Sequence, residues 1–375
     1  MNFSQIPGQK EIIGKLIRSV KEERVSHAQL FAGPEGCGSL ALALAYASYI
    51  SCENRTETDS CGICKSCVKY EKMIHPDLHF VFPVIKGKKA TDPVSDNYIE
   101  EWREFVAKTP FFTVNGWLDF IEVGNAQGMI FASEAGEIIK KLSLKTFESD
   151  FKIMIIWLPE KMHPASANKL LKMIEEPPEK TLFLLVSEEP DKVIPTILSR
   201  CQLVKIPAFS DKDTEKYLLQ KFSLAADKAA DLARVSKGNI IRAAELSENE
   251  DSSLANLDRF RGLMRFAWKR DIISLINWSE EIASTGREAQ KNFFIFSLRL
   301  LRENLMMTLD QSKNQLVYLS GEEAKFSENF HPYINPDNAY PLSEEFNLGY
   351  SHIEANGSAK IVFLDLALKV TKLIR

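Results

Sequence analysis

The chain has 375 residues, a length that predicts two or three compact domains. Its 45% hydrophobic and 26% charged residues are typical of a globular protein. The formal net charge of −4 argues against autonomous, salt-driven binding to a nucleic-acid backbone, which needs a basic excess. Since we find no secretory signal and no apolar run long enough to span a bilayer, we predict a cytoplasmic protein without membrane contact.

The first half of the sequence alternates apolar runs with amphipathic segments. Strands are predicted over residues 29–32, 78–84, 151–158 and 181–187. Helices are predicted around residues 12–20, over 39–50, from a cap at Ser133 to Leu144, and around 167–174. Such alternation predicts an α/β domain whose parallel sheet is covered on both faces.

The pattern changes after Pro207 and becomes helical. Short helices are predicted over 210–246, and the polar, acidic stretch 247–253 is interpreted as a linker. We therefore divide the chain into an α/β domain (1–207), a small helical domain (208–249) and a C-terminal helical domain (253–375). The polar loop 85–97 and the following segment "FFTVNGWLDF" receive no role.

Four of the six cysteines form a C-x8-C-x2-C-x2-C pattern, in the order Cys52, Cys61, Cys64 and Cys67. In a reducing compartment, such a full ligand set at usable spacing predicts a structural zinc site. Because all four positions are ligands, no place remains for a catalytic water. A redox C-x-x-C pair would use only two of the thiols, and unrelated surface cysteines are the remaining alternative. Cys37 and Cys201 are interpreted as small buried side chains.

The stretch "HAQLFAGPEGCGSLALALA" runs from a strand through a glycine-rich turn into a helix. A phosphate-binding loop of this kind reads G-x-x-x-x-G-K-S/T, in which the lysine contacts phosphate and the hydroxyl holds magnesium. The turn-forming glycines are present here as Gly33, Gly36 and Gly38. However, Ser39 replaces the lysine and Leu40 replaces the hydroxyl residue.

The predicted strand 151–158 tests the same conclusion independently. In an active ATPase, the corresponding strand ends in an acidic residue that binds the metal ion. The strand predicted here ends instead in Trp157-Leu158, and Glu160 lies beyond the strand end. The losses together predict a strand-turn-helix scaffold without ATPase activity, in which ATP is not bound productively. A glycine turn unrelated to nucleotides is the alternative.

With these features in place, the chain resembles the delta-prime branch of the AAA+ clamp-loader family of bacterial DNA polymerase III. The matching segments are "IPGQKEIIGKL", "HAQLFAGPEGCG", the four-cysteine insertion, "HPDLHFVFPV", and the long run from "ANKLLK" through "EEPP" to "TILSRC". The resemblance is close over the first two predicted domains and loose over the third.

The resemblance implies an AAA+ P-loop-type sheet domain, a small helical lid and an all-α collar. It implies assembly with gamma/tau and delta subunits into a ring that loads the sliding clamp at primer–template junctions. In this family the delta-prime member is commonly without ATPase activity, whereas gamma/tau subunits keep the loop lysine and the acidic strand end.

The resemblance also gives meaning to Ser199-Arg200-Cys201, which match the Ser-Arg-Cys motif of the family. The arginine of that motif enters the ATP site of the neighbouring subunit. A guanidinium there would stabilise the charge that develops on the γ-phosphate. The alternative for Arg200 is a solvated surface arginine without a role. The resemblance also places Ser187 and Arg242 near the two nucleotide-sensing positions of the family, with weaker support than for Arg200.

Two other functions compete with a non-catalytic clamp-loader subunit. An active P-loop ATPase of the gamma/tau type with a variant loop would bind ATP·Mg tightly as an isolated chain. A stand-alone zinc-containing DNA-binding protein would bind DNA with a strong salt dependence, which the acidic charge balance disfavours.

Overall fold

A computed structural model describes residues 1–86, 89–121, 128–248, 250–309, 319 and 321–374. The chain divides into two compact units. The first comprises Met1–Ser223 and Ser236–Ala244, and the second comprises Leu224–Val235 and Glu245–Arg375. The finer division into domains 1–207, 208–249 and 253–375 stays a prediction.

The first unit contains a five-stranded parallel sheet in the order β2-β3-β4-β1-β5. The strands are β1 (Ala28–Ala32), β2 (Leu78–Val81), β3 (Lys152–Trp157), β4 (Thr181–Ser187) and β5 (Gln202–Lys205). Leu30 lies opposite Leu185 on one side and Leu203 on the other, which fixes the register around β1. The predicted α/β class, a parallel sheet domain followed by helices, is confirmed.

The helices are numbered in chain order. They are α1 (Lys10–Lys21), α2 (Ser39–Ile50), α3 (Lys65–Glu71), α4 (Ile99–Lys108), α5 (Val114–Phe120), α6 (Glu134–Ser143), α7 (Pro164–Glu175), α8 (Pro195–Leu198), α9 (Asp211–Phe222), α10 (Ala226–Ser236), α11 (Ile240–Glu248), α12 (Glu250–Lys269), α13 (Ile272–Ala283), α14 (Arg287–Leu309), α15 (Gly321–Phe330), α16 (Pro336–Glu354) and α17 (Ala359–Leu373). Short 3-10 helices lie at Phe3–Gln5, Ser95–Tyr98, Pro159–Lys161, Pro190–Lys192 and His331–Tyr333.

The sheet is buried on both faces, as its continuous apolar runs predict. Every residue of β1, β3 and β4 is buried. Helix α2 is buried along its whole length and covers one face of the sheet, where it shares a core cluster with strand side chains such as Phe31 and Leu184. The other face is covered with help from α7, through side chains such as Leu170. This packing fixes the carboxyl ends of the strands at one edge of the sheet.

Three expectations about local structure are wrong in detail. The strand predicted over 78–84 ends at Val81, because the Phe82 N–H donates to Ser95 Oγ (3.0 Å) and Pro83 has no N–H. Ser133 is the N-cap residue of α6, as predicted, but its side chain makes no capping hydrogen bond, because its hydroxyl donates to the Pro93 carbonyl (3.1 Å). The linker predicted over 247–253 is largely helical, since α11 ends and α12 begins within it, with residue 249 outside the described residues.

The second unit is helical and has its own aromatic core. Phe260, Phe293, Phe346 and Phe363 are each fully buried there, and Trp278 packs edge-on against Phe293 with 5.8 Å between ring centroids. Among the described residues, no helix combines the length and the apolar character that a bilayer crossing requires.

Candidate functional site

The glycine-rich loop lies where the sequence places it, between β1 and α2. Ser39 is the first residue of α2, and its hydroxyl oxygen lies 2.9 Å from Cys37 Sγ. Leu40 is only 6% exposed and belongs to the core. The positions that would contact phosphate and magnesium in an ATPase are therefore nearly buried, and both line the small cavity beside the loop.

A segment near α11 lies directly against this loop. Gly36 has φ +76°, and a Cβ atom there would lie 2.0 Å from Asn239 Oδ1, so glycine permits the close approach. The Ile240 N–H donates to the Gly36 carbonyl (3.2 Å). Asn239 Oδ1 also accepts the N–H groups of Ile241 and Arg242 at the start of α11 (both 3.0 Å). The loop is thus held in shape by the chain itself.

Aromatic side chains fill the space beside the loop. Gly38 has φ +83°, and a Cβ atom there would lie 2.9 Å from Phe209 and 3.2 Å from Phe111. Phe112 packs edge-on against Trp157, with 5.1 Å between ring centroids. The cavity that remains has a volume of about 30 Å³. Ligand pockets are typically about 300–1,000 Å³, so this cavity is small for a nucleotide site.

Phe111 and Phe112 come from the segment "FFTVNGWLDF", which the sequence left without a role. Phe111 also packs edge-on against Phe209 and Tyr217, with ring centroids 6.3 Å and 5.8 Å apart. In the sequence, the only sign of a packing role was that this segment is rich in aromatic residues and follows a polar loop. Contact with a glycine some seventy residues earlier in the chain was not predictable from that signal.

Carboxyl groups surround the same edge of the sheet. Burial, together with the nearby carboxyls of Glu35 and Glu160, raises the pKa of Glu188 to about 8. Glu160 Oε1 accepts the N–H groups of Glu188 and Glu189 (3.0 and 3.1 Å). Burial is the largest of these causes, and the two neighbouring carboxyls contribute a negative potential at Glu188.

The two weaker sensor positions lie at the end of β4 and at the start of α11. Ser187 is fully buried at the end of β4, and its carbonyl accepts the Gly33 N–H (3.2 Å). Arg242 lies in the first turn of α11 with a half-buried side chain. Their part in any nucleotide contact stays a prediction.

Arg200 lies between α8 and β5, with a side chain that is 37% exposed. Its Nη1 donates to the Thr196 carbonyl (2.9 Å) and to Ser199 Oγ (3.3 Å), and its Nη2 forms an ion pair with Glu175. Cys201 is half-buried, and burial raises the pKa of its thiol to about 11. The predicted Ser-Arg-Cys motif thus presents an accessible guanidinium beside an unreactive thiol.

The four clustered cysteines converge in three dimensions, and their sulfur atoms all lie within 4.8 Å of one another. The Sγ atoms of Cys61 and Cys67 are 3.9 Å apart, which excludes a disulfide between them. Zn–S bonds of about 2.3 Å in a tetrahedron place sulfur atoms about 3.8 Å apart. The cluster can therefore hold one metal ion with little rearrangement.

Backbone N–H groups point at these sulfur atoms. Cys52, Cys61 and Cys64 each accept one at the Sγ atom, from the N–H groups of Cys61, Cys64 and Cys67, at 3.3–3.4 Å. Hydrogen bonds from Ile63 and Cys64 lower the pKa of the Cys61 thiol to about 6, whereas burial raises the pKa of Cys52 and Cys67. Donors of this kind stabilise thiolates, the form in which cysteine binds metals.

The cysteine module also binds the N-terminal segment. The Asp59 carboxylate accepts the N–H groups of Phe3 (3.0 Å) and Ser4 (2.9 Å), and Ser60 Oγ donates to Asn2 Oδ1 (3.0 Å). Further along the same segment, Gln9 Nε2 donates to the carbonyls of Cys37 and Pro207. The N-terminal segment thus bridges the cysteine module and the glycine-rich loop.

We expect Asp59→Ala to lower the free energy of unfolding by about 1–3 kcal/mol, because backbone N–H groups lose a charged acceptor. Amide hydrogen exchange should become faster at Phe3 and Ser4, as well as in the 57–62 loop. Glu53→Ala, an exposed acid of the same module, should leave exchange at both amides unchanged. Unchanged protection of Phe3 and Ser4 in the Asp59 variant would contradict this account.

The sheet, the glycine-rich loop after its first strand and the helices that follow define a P-loop-type α/β protein. A family profile described as "DNA polymerase III, delta subunit" matches residues 8–210. Because that match covers more than half of the chain, the chain belongs to this family.

The chain is also similar to individual members of related groups. It is 29% identical over 244 residues to DNA polymerase III subunit delta' of Bacillus subtilis, covering 65% of this chain and 60% of that protein. It is 26% identical over 256 residues to subunit tau of Escherichia coli, covering 67% of this chain and 33% of that protein. The chain thus spans less than two thirds of either relative.

Among solved structures, the B. subtilis DNA clamp loader delta protein aligns over 96% of this chain and 99% of its own length. The sequence identity there is 11% and the TM-score is 0.33.

Proposed function

We propose that this chain is a non-catalytic, delta-prime-like subunit of the DNA polymerase III clamp loader. It assembles with gamma/tau and delta subunits and helps to load the sliding clamp at primer–template junctions. Family membership over residues 8–210 supports the clamp-loader assignment. The observation that carries the non-catalytic assignment is the glycine-rich loop, where Phe111 and Phe209 pack against Gly38 and the adjoining cavity has a volume of only about 30 Å³.

The proposed contribution of this chain to ATP hydrolysis is Arg200, inserted as an arginine finger into the ATP site of a neighbouring subunit. A guanidinium is always charged and offers a planar fork of donors that matches phosphate oxygens. The 37% exposure of the Arg200 side chain supports this role, because a finger must be reachable from outside its own chain.

We also propose that Cys52, Cys61, Cys64 and Cys67 bind one structural zinc ion. The separation of their sulfur atoms and the N–H donors around them support this ligand set. A redox role for one cysteine pair remains the competing assignment, and metal analysis separates the two.

The non-catalytic assignment is tested by an ATP·Mg titration of the isolated chain by calorimetry. We expect no saturable binding below about 1 mM, which corresponds to about −4 kcal/mol. The double variant Ser39→Lys, Leu40→Thr restores the side chains of an active loop but leaves the aromatic filling in place, so it should not bind ATP either. Micromolar binding by the wild-type chain would favour the active ATPase instead.

The assembly itself is tested by co-expression with the gamma/tau and delta subunits of the same organism. We expect a stable complex that loads a clamp onto primed DNA, whereas a complex that forms and loads without this chain would contradict the proposal.

A further inference from the structure

The guanidinium of Arg200 is held within its own chain. Nη1 donates to the carbonyl of Thr196 and to Ser199 Oγ, both one helical turn or less away in sequence. Nη2 forms an ion pair with Glu175, which lies on a different element of the fold. Glu175 is therefore the contact that anchors the guanidinium outside its local segment.

Glu175 has an unusual position for an acid, because it is the last residue of α7. The carbonyl end of a helix carries a partial negative charge, so a carboxylate there is unfavourable unless a cation lies nearby. Arg200 supplies such a cation, in addition to Lys172 in the same last turn. Neutralising Glu175 should therefore not destabilise α7.

The ion pair is also weak enough to exchange. The two side chains are 37% and 43% exposed, and exposed pairs of this kind are strongly screened by water and salt. A triphosphate offers several charged oxygen acceptors, which bind a guanidinium more tightly than one exposed carboxylate does. An ATP phosphate brought near Arg200 would compete successfully with Glu175.

We propose that Glu175 is a positioning residue that holds Arg200 against this chain and releases it when the ATP phosphate of a neighbouring subunit is presented. This inference rests on the proposed role of Arg200 as an arginine finger. Glu175 thereby restrains hydrolysis in the neighbouring site until the two subunits are closely docked.

The test uses the complete clamp loader reconstituted with Glu175→Gln, Arg200→Ala, the combination of both, or Glu176→Gln. The last variant removes the same charge from the adjacent exposed residue and is the matched control. Thermal melting of each isolated chain verifies folding, and DNA-stimulated ATP hydrolysis is measured as kcat/KM across a range of salt concentrations.

We expect Glu175→Gln to raise kcat/KM by about 1.5- to 5-fold at low salt, the range for losing an exposed ion pair. The gain should shrink as salt rises, because salt screens the Glu175–Arg200 ion pair in the wild-type chain and so removes the difference between the two proteins. It should vanish in the Arg200→Ala background, and Glu176→Gln should match the wild type. A purely structural role would give neither the salt dependence nor the requirement for Arg200.

An unchanged or lowered kcat/KM in Glu175→Gln, with a clear loss in Arg200→Ala, would overturn the restraint but leave the finger intact. An equal gain in Glu176→Gln would also overturn the restraint, because the gain would then come from the loss of any negative charge in this region. Unchanged hydrolysis in Arg200→Ala would instead overturn the proposed finger, and this inference with it.

Discussion

Replacing Arg200 by alanine should lower ATP turnover in the neighbouring subunit's site by about 10³-fold or more, as for arginine fingers supplied in trans. The guanidinium would no longer stabilise the charge that develops on the transferred phosphoryl group. This chain should remain folded, since the lost contacts are exposed. The measurement is DNA-stimulated phosphate release from the reconstituted clamp loader under single-turnover conditions.

Two further variants make that result specific. Arg24→Ala removes an exposed arginine of the same unit, paired with Glu22, and should leave hydrolysis unchanged. Arg200→Lys keeps the charge but loses the planar fork, so it should restore only a small part of the activity. Wild-type hydrolysis in Arg200→Ala would exclude the finger.

Replacing Cys64 by serine should abolish retention of zinc on dialysis. Removal of even an outer-shell partner costs about 10–100-fold in metal affinity, so loss of a ligand should exceed that range. Cys64 Sγ also caps α3 by accepting the Cys67 N–H, and serine is a good N-cap, so α3 should persist. Amide exchange should accelerate over 52–67 and, through Asp59, at Phe3 and Ser4.

The matched control is Cys201→Ser, a half-buried thiol outside the cluster, which should keep the full zinc content. Metal analysis of the wild-type chain purified without chelator should give one zinc per chain. A wild-type chain without zinc would count against the site, and retention of zinc by Cys64→Ser would remove Cys64 from the ligand set.

The strands and helices of the sheet domain were predictable because their sequence patterns lie within short, continuous segments of the chain. The bounds of α2 and β4 agree with those predicted, since each is a continuous apolar run ended by glycine or polar residues. The convergence of the four cysteines was predictable for a similar reason. Their spacing restricts the geometry within a span of sixteen residues, between Cys52 and Cys67.

The features that sequence reasoning missed depend on contacts between distant parts of the chain. Phe111 and Phe209 meet Gly38 from segments far apart in sequence. The anchoring of Phe3 by Asp59 is likewise a long-range contact. Amphipathic periodicity and turn residues report only the local backbone, so they contain no signal for which loop fills which space.

The closed loop has a consequence for how this chain responds to its surroundings. A protein that binds ATP gains stability by mass action, so its melting temperature follows the nucleotide supply. In this chain, Phe111 and Phe209 pack closely against Gly38 of the loop where such a ligand would bind. Under the proposed non-catalytic role, the folding of this chain should therefore be insensitive to the energy charge of the cell.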